Sequence, residues 1–181
     1  RDTISCLKSS TGVELVAMGD LFQDRLNESL EILKGEAISD KVNVPEDRRF
    51  VGFDAYKKVI ASDVDMVLIV TPPHFHPQQA KAAIEADKHV FVEKPAAVDP
   101  AGIRSLIATS ELARQKGLSI VAGTHRRHNA PHIEIMKRIH RGDIGEIVAA
   151  QCYYNIGQMV GYWTYYEQEG LSDMEQQCRN W

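Results

Sequence analysis

Only three cysteines occur in 181 residues, Cys6, Cys152 and Cys178, odd in number and far apart. That spacing excludes a disulfide framework and a zinc-type cluster, because both need thiols grouped at short intervals. Separated thiols favour a reducing, cytoplasmic compartment over an exported or periplasmic one, and a leader upstream of Arg1 would reverse that reading. No apolar run approaches the roughly 18 residues of a membrane span, so no membrane is expected. A net charge of −4 supplies no excess of positive charge to hold nucleic acid, and the basic run His125-Arg126-Arg127-His128 is too short to act as one. There is no Gly-x-Ser-x-Gly elbow, no P-loop and no His-Glu-x-x-His, which removes the hydrolase chemistries that those motifs carry. Glycine is sparse at the start: Gly12 is the sole glycine before Gly19.

What is present is an ordinary globular composition, 44% hydrophobic and 25% charged, arranged in a regular alternation. The run from Val13 to Met18 closes on Gly19-Asp20 and reads as a buried strand. Phe22, Leu26, Leu30 and Leu33 then recur at helical spacing, and Gly35 ends that helix. Residues 36–47 read as a loop, Arg49 to Gly52 as a short strand, and Ala55 to Ala61 as a helix. Met66 to Val70 is almost wholly apolar, as suits a parallel strand covered on both faces. Thr71-Pro72-Pro73 stops it. A helix with Ala80, Ala83 and Ile84 inward follows, then the strand His89 to Val92. A helix over Pro100 to Lys116, with Ile103, Leu106 and Ile107 inward, is closed by Gly117 and precedes the strand Ser119 to Ala122. This rhythm predicts a doubly wound parallel α/β sheet, in which ligands sit at the carboxyl ends of the strands. Beyond Asn129 the pattern changes to a helix near Pro131 to Arg141 and a long strand, Glu146 to Tyr154. No structure is assigned to the polar tail from Gly161 to Trp181.

Four clusters fall at strand ends. Asp20 can accept hydrogen bonds from adenosine ribose hydroxyls and repel the 2′-phosphate of NADP, or it can cap the following helix. In Thr71 to His76 the two prolines fix the backbone and withhold N–H donors. There His74 and His76 can reach a cofactor or form part of a metal site, while Pro77 suits a first helical turn. Glu93-Lys94-Pro95 places an ammonium at the mouth of a buried strand. There it can donate to a substrate hydroxyl and polarise a carbonyl, with partial desolvation lowering its pKa. The alternative is a surface salt bridge that closes the strand. Arg126 and Arg127 can bind substrate oxygens or phosphate through forked donors, or form a solvated basic turn. His125, His128 and His132 can be written as a metal pattern, but nothing converges their rings, and no metal is expected.

Together, Asp20, Thr71-Pro72-Pro73-His74-Phe75-His76 and Lys88-His89-Val90-Phe91-Val92-Glu93-Lys94-Pro95 resemble the Gfo/Idh/MocA oxidoreductases over nearly the whole chain from Val13. Arg126-Arg127-His128-Asn129, Ser172-Asp173-Met174-Glu175 and Arg179-Asn180-Trp181 resemble a bacterial branch of that family. The resemblance implies a Rossmann-type domain over 1–125, whose first strand and glycine-rich loop precede Arg1. It implies that 126–181 begins a C-terminal α/β domain with an open sheet that covers the active site and mediates homo-oligomers. The implied reaction is hydride transfer between NAD, with NADP less favoured, and a hydroxyl carbon of a sugar, cyclitol or derivative. Lys94 is then catalytic, touches both substrate and nicotinamide, and often precedes a cis bond to Pro95. Residues at Asp20, Thr71, Pro72, Pro73, His76 and Glu93 surround the dinucleotide, and those at Arg126 and Arg127 meet the substrate. The general base falls beyond Trp181, so the 181-residue piece alone is expected to show weak or no NAD binding and no turnover. A redox-type glycoside hydrolase of the same family and a non-catalytic dinucleotide- or sugar-binding regulator are the competing readings. Lys94 argues against the regulator.

Overall fold

Alternating apolar runs and helical stripes fold as the predicted α/β succession in the computed structural model, which describes residues 2–155 and 169–180. The chain groups into two compact units, Arg1–Thr124 and His125–Trp181. In the first, helix α1 (Asp2–Ser9) leads to strand β1 (Met18–Asp20), helix α2 (Gln23–Gly35), strand β2 (Arg49–Val51) and helix α3 (Ala55–Ile60). Strand β3 (Met66–Ile69), helix α4 (His76–Glu85), strand β4 (His89–Val92), helix α5 (Pro100–Gln115) and strand β5 (Ile120–Ala122) complete it.

All strand pairs are parallel, as near-continuous apolar strands linked by crossover helices require. They form two sheets, β1-β2 and β3-β4-β5. The usual order of a doubly wound dinucleotide fold is 3-2-1-4-5-6. Counting β1 as second, the two sheets match the flanks of that order on either side of its central strand.

The centre of the unit is α4. Ala80, Ala83 and Ile84 are each 0% exposed and pack with Ile69, Val90, Val92, Leu106 and Ala113. The two alanines let the helix lie close to both the sheet and α5. The inward face of α5 departs from expectation. Leu106 is buried, but Ile103 is 42% and Ile107 65% exposed, and Thr109 and Ala113 are buried instead. The packing stripe is Gly102, Leu106, Thr109 and Ala113, which includes a glycine and a threonine that an apolar count passes over. The Thr109 hydroxyl donates to the Ser105 carbonyl at 2.8 Å, which satisfies it within the helix. Gly117, at φ +70°, ends α5 with its own N–H on Arg114 and that of Leu118 on Ala113.

Other boundaries also shift. The first strand begins at Met18 rather than Val13, with Leu15 making a single parallel bridge to Val42. Val13 and Leu15 pack instead against Leu7, Leu33 and Ile38, a small cluster that includes the unanticipated α1. Within 36–47, expected to be a loop, short 3₁₀ turns form at Ser39–Lys41, and at Glu46–Arg48 running into β2.

The second unit holds a 3₁₀ turn, His125–His128, helix α6 (Ala130–His140) and helix α7 (Asp173–Arg179). The predicted strand over 146–154 does not form. A strand needs a neighbour for its N–H and C=O groups, and none pairs with it among the described residues. Val148 is 89% exposed there. The tail, left without assignment, contains α7, started by the Ser172 side chain accepting from Glu175 N at 3.3 Å.

These packing faces predict unequal costs for two isoleucines. In the full-length protein Ile84→Ala should lose roughly 2–5 kcal/mol of stability, while Ile107→Ala should stay within about 0.5 kcal/mol. Equal midpoint shifts in urea unfolding would contradict the assigned faces.

Candidate functional site at the strand mouths

Parallel pairing brings the ends of three strands level. Ile69 pairs with Val92 and Val92 with Ala122, and beyond them Glu93 N donates to the Ile69 carbonyl and Gly123 N to the Val92 carbonyl. Thr71, Glu93, Lys94 and Gly123 therefore share one carboxyl edge, where open α/β sheets bind ligands.

At this edge the main chain around Lys94 is held from both sides. The half-buried Glu93 carboxylate accepts from Lys94 N at 2.8 Å. It lies directly over Gly123, where a Cβ would come within 2.7 Å of Glu93 Cδ. The next peptide bond, Lys94–Pro95, is cis. The Pro95 carbonyl is 2.9 Å from His76 Nδ1, and the Thr71 carbonyl is 2.5 Å from His76 Nε2. Lys94 itself is exposed, and no ion pair engages its ammonium among the described residues. The salt-bridge reading of Glu93-Lys94 is thereby displaced, since Glu93 serves the Lys94 backbone. The desolvation expected for Lys94 is not supplied by its described surroundings.

His76 needs the clearest revision. Its ring is 1% exposed and both nitrogens face backbone carbonyls, so it offers neither a lone pair to a metal nor a surface to a cofactor. The Thr71 hydroxyl donates to Gln79 Oε1 at 2.8 Å, one turn further along α4. Pro72 is half-buried and Pro73 buried, so Pro73 backs the lip rather than lining it. His74 is exposed, edge-on to Phe75 with ring centroids 5.2 Å apart.

Asp20 closes β1 half-buried. Its Oδ1 accepts from Phe22 N at 2.9 Å, a two-residue side-chain turn ahead of α2. Oδ2 has no hydrogen bond among the described residues. The helix cap itself is Phe22 rather than Asp20. Arg126 and Arg127 are exposed in the 3₁₀ turn that opens the second unit.

Three contributors were not anticipated from sequence: Gln79, Gly102 and the tight seat at Gly123. At Gly102 a Cβ would sit 2.9 Å from Ala97 Cβ and 3.0 Å from Pro77 Cγ. A glycine inside a helix is a signal of close approach, and Gly102 is the one such residue within α5. Gln79 left no signal, since a glutamine on a helix is ordinary.

Residues 12–124 match the family described as "Oxidoreductase family, NAD-binding Rossmann fold" (GFO_IDH_MocA). The chain belongs to the Gfo/Idh/MocA family. The match ends at Thr124, where the first compact unit also ends. A glycosyl hydrolase family 109 protein of Porphyromonas gingivalis is 31% identical over 157 residues, 86% of this chain and 31% of its own length. The scyllo-inositol dehydrogenase of Lactobacillus casei, solved with NAD(H) and scyllo-inositol, has a TM-score of 0.56 at 29% identity over 75% of this chain and 36% of its own. A 3-ketoreductase from Actinomadura kijaniata, in complex with TDP-benzene and NADP, has a TM-score of 0.58 at 25% identity, covering 79% of this chain and 40% of its own. The chain spans about a third of the length of the curated relatives it matches. Solved structures similar to it thus carry either nicotinamide dinucleotide.

The seat under Glu93 makes a prediction. Gly123→Ala should destabilise the full-length protein by about 1–3 kcal/mol through overpacking. Gly35→Ala, which meets nothing within 4 Å, should not. Thermal unfolding of both variants checks this, and a Gly123→Ala protein as stable as the wild type would refute the contact.

Proposed function

We propose that the full-length protein transfers a hydride between a nicotinamide cofactor and a hydroxyl-bearing carbon of a sugar, cyclitol or derivative. The observation that carries this reading is the ammonium of Lys94, free of ion pairs among the described residues, on a pinned backbone at the carboxyl edge of β4. A lysine so placed is suited to an oxygen of a bound ligand.

The residues at the strand mouths fit a dinucleotide. Asp20 offers a carboxylate oxygen to accept from ribose hydroxyls, and its charge opposes a 2′-phosphate, which favours NAD over NADP. Thr71, Pro72 and Glu93 form the rim around Lys94. The nicotinamide ring supplies the redox chemistry when bound. Lys94 donates a hydrogen bond to the reacting oxygen and orients the alcohol carbon. His76 contributes by holding the backbone rather than by touching the ligand.

A second reading is favoured by one finding. Glycosyl hydrolase family 109 proteins are 28–31% identical over 86–93% of this chain. In that reading the net outcome is hydrolysis of a glycosidic bond, in which water adds and the aglycone leaves, with no net change in the redox state of the cofactor. The same Lys94 and cofactor rim serve both chemistries.

Lys94→Ala in the full-length protein should lower turnover at least roughly 100-fold while the Kd for NAD changes little. Unchanged turnover would defeat the role given to Lys94. Reduced cofactor accumulating with free sugars or cyclitols supports net dehydrogenation, and aglycone release without accumulation supports the hydrolase. Asp20→Ser should shift the NAD:NADP preference toward NADP by at least about tenfold, since a like charge facing a bound group costs several kcal/mol. An unaltered ratio would remove Asp20 from the ribose site.

A further inference from the structure

We infer that His76 is a positioning residue for Lys94, acting from the first turn of α4 together with Gln79. The inference rests on the role proposed above for Lys94.

The main chain around Lys94 has two attachments. On one side Lys94 N is held by the Glu93 carboxylate at 2.8 Å. On the other, the carbonyl of the next residue, Pro95, is held by His76 Nδ1 at 2.9 Å. The second ring nitrogen faces the Thr71 carbonyl at the end of β3, and since carbonyls only accept, holding both oxygens at once takes both N–H groups of an imidazolium. One buried ring therefore ties the loop after β4 to the loop after β3. Gln79, three residues along the same helical face, takes the Thr71 hydroxyl at 2.8 Å. Thr71 is gripped by α4 through both its backbone and its side chain. Helix α4 is itself fixed by the fully buried Ala80, Ala83 and Ile84. Ala96 and Ala97, just beyond Pro95, pack on that same core. With the backbone pinned on both sides, the freedom left to Lys94 is that of its side-chain rotamers. Loss of the ring would release the Pro95 carbonyl and let the ammonium drift, and misplacement by about 1 Å can cost roughly 100-fold in rate.

A neutral imidazole has one N–H to donate and an imidazolium has two, whereas an aliphatic side chain has none and glutamine has an amide donor. Replacement should therefore be graded. In the full-length protein His76→Leu should lower kcat about 100-fold with the Kd for NAD changed less than about threefold, and His76→Gln should recover part of the loss. The decisive measurement is a double-mutant cycle. In a Lys94→Ala background His76→Leu should cost less than about threefold further, because nothing remains for it to position. An equal loss in both backgrounds overturns the inference, as does full activity in His76→Leu. If Lys94→Ala alone leaves turnover intact, the functional reading fails first, which separates the two. Should the variants not fold, the unmutated protein labelled with nitrogen-15 histidine provides the answer. The His76 ring should show a slowly exchanging N–H proton, and a rapidly exchanging ring would overturn the tie.

Discussion

A histidine with 1% of its surface exposed must satisfy its ring nitrogens from within the protein, because a buried polar group without a partner costs on the order of 1–3 kcal/mol. In this chain both nitrogens face backbone carbonyls from different loops, those of Thr71 and Pro95, and because a carbonyl only accepts, each such bond takes a ring N–H. Neither loop belongs to a hydrogen-bonded ladder at that point, so the ring does what the sheet cannot do beyond its last paired residues. It keeps the ends of β3 and β4 in register past the strands, and it does so from the same helix face that Ala80, Ala83 and Ile84 bury in the core.

Small residues make the rest of this arrangement fit. Gly123 leaves room for the Glu93 carboxylate, and Gly102 lets α5 approach Pro77 and Ala97. Ala80 and Ala83 let α4 settle between the sheet and α5. Each is a place where a small side chain, or none, lets a neighbour approach closely, and at Gly123 that neighbour is the Glu93 carboxylate. The carboxyl edge of the sheet is therefore supported by packing behind it, with Lys94 exposed at its front.

Membership of an NAD-binding oxidoreductase family accords with that edge. Relatives and similar structures include an inositol dehydrogenase, a 3-ketoreductase and family 109 glycosyl hydrolases. Hydride abstraction at a sugar carbon is a step common to the readings proposed here, whichever product follows.

Much of the fold was legible because its signals are local. Apolar runs such as Met66 to Ile69 mark strands wherever they sit, and Ala80, Ala83 and Ile84 mark a helical face by spacing alone. Asp20, Thr71 and Lys94 could be placed at strand ends for the same reason. What failed depended on partners distant in sequence. The stripe of α5 was misassigned because close helix packing selected Gly102 and Thr109 over Ile103 and Ile107. The strand over 146–154 had the right residues but no neighbour among the described ones, and backbone hydrogen bonds cannot be made alone. His76 was read as a cofactor contact because two nitrogens in a proline-rich lip suggest a ligand. By itself the sequence determined the order of elements and which residues stand at the strand mouths, since both follow from periodicity and chain reversal. Only the tertiary structure decided which of those residues face out and which hold the others, because that depends on the carbonyls of Thr71 and Pro95, past β3 and β4, and on Gly102 of α5 and Gly123 past β5, brought to the ring and carboxylate they meet.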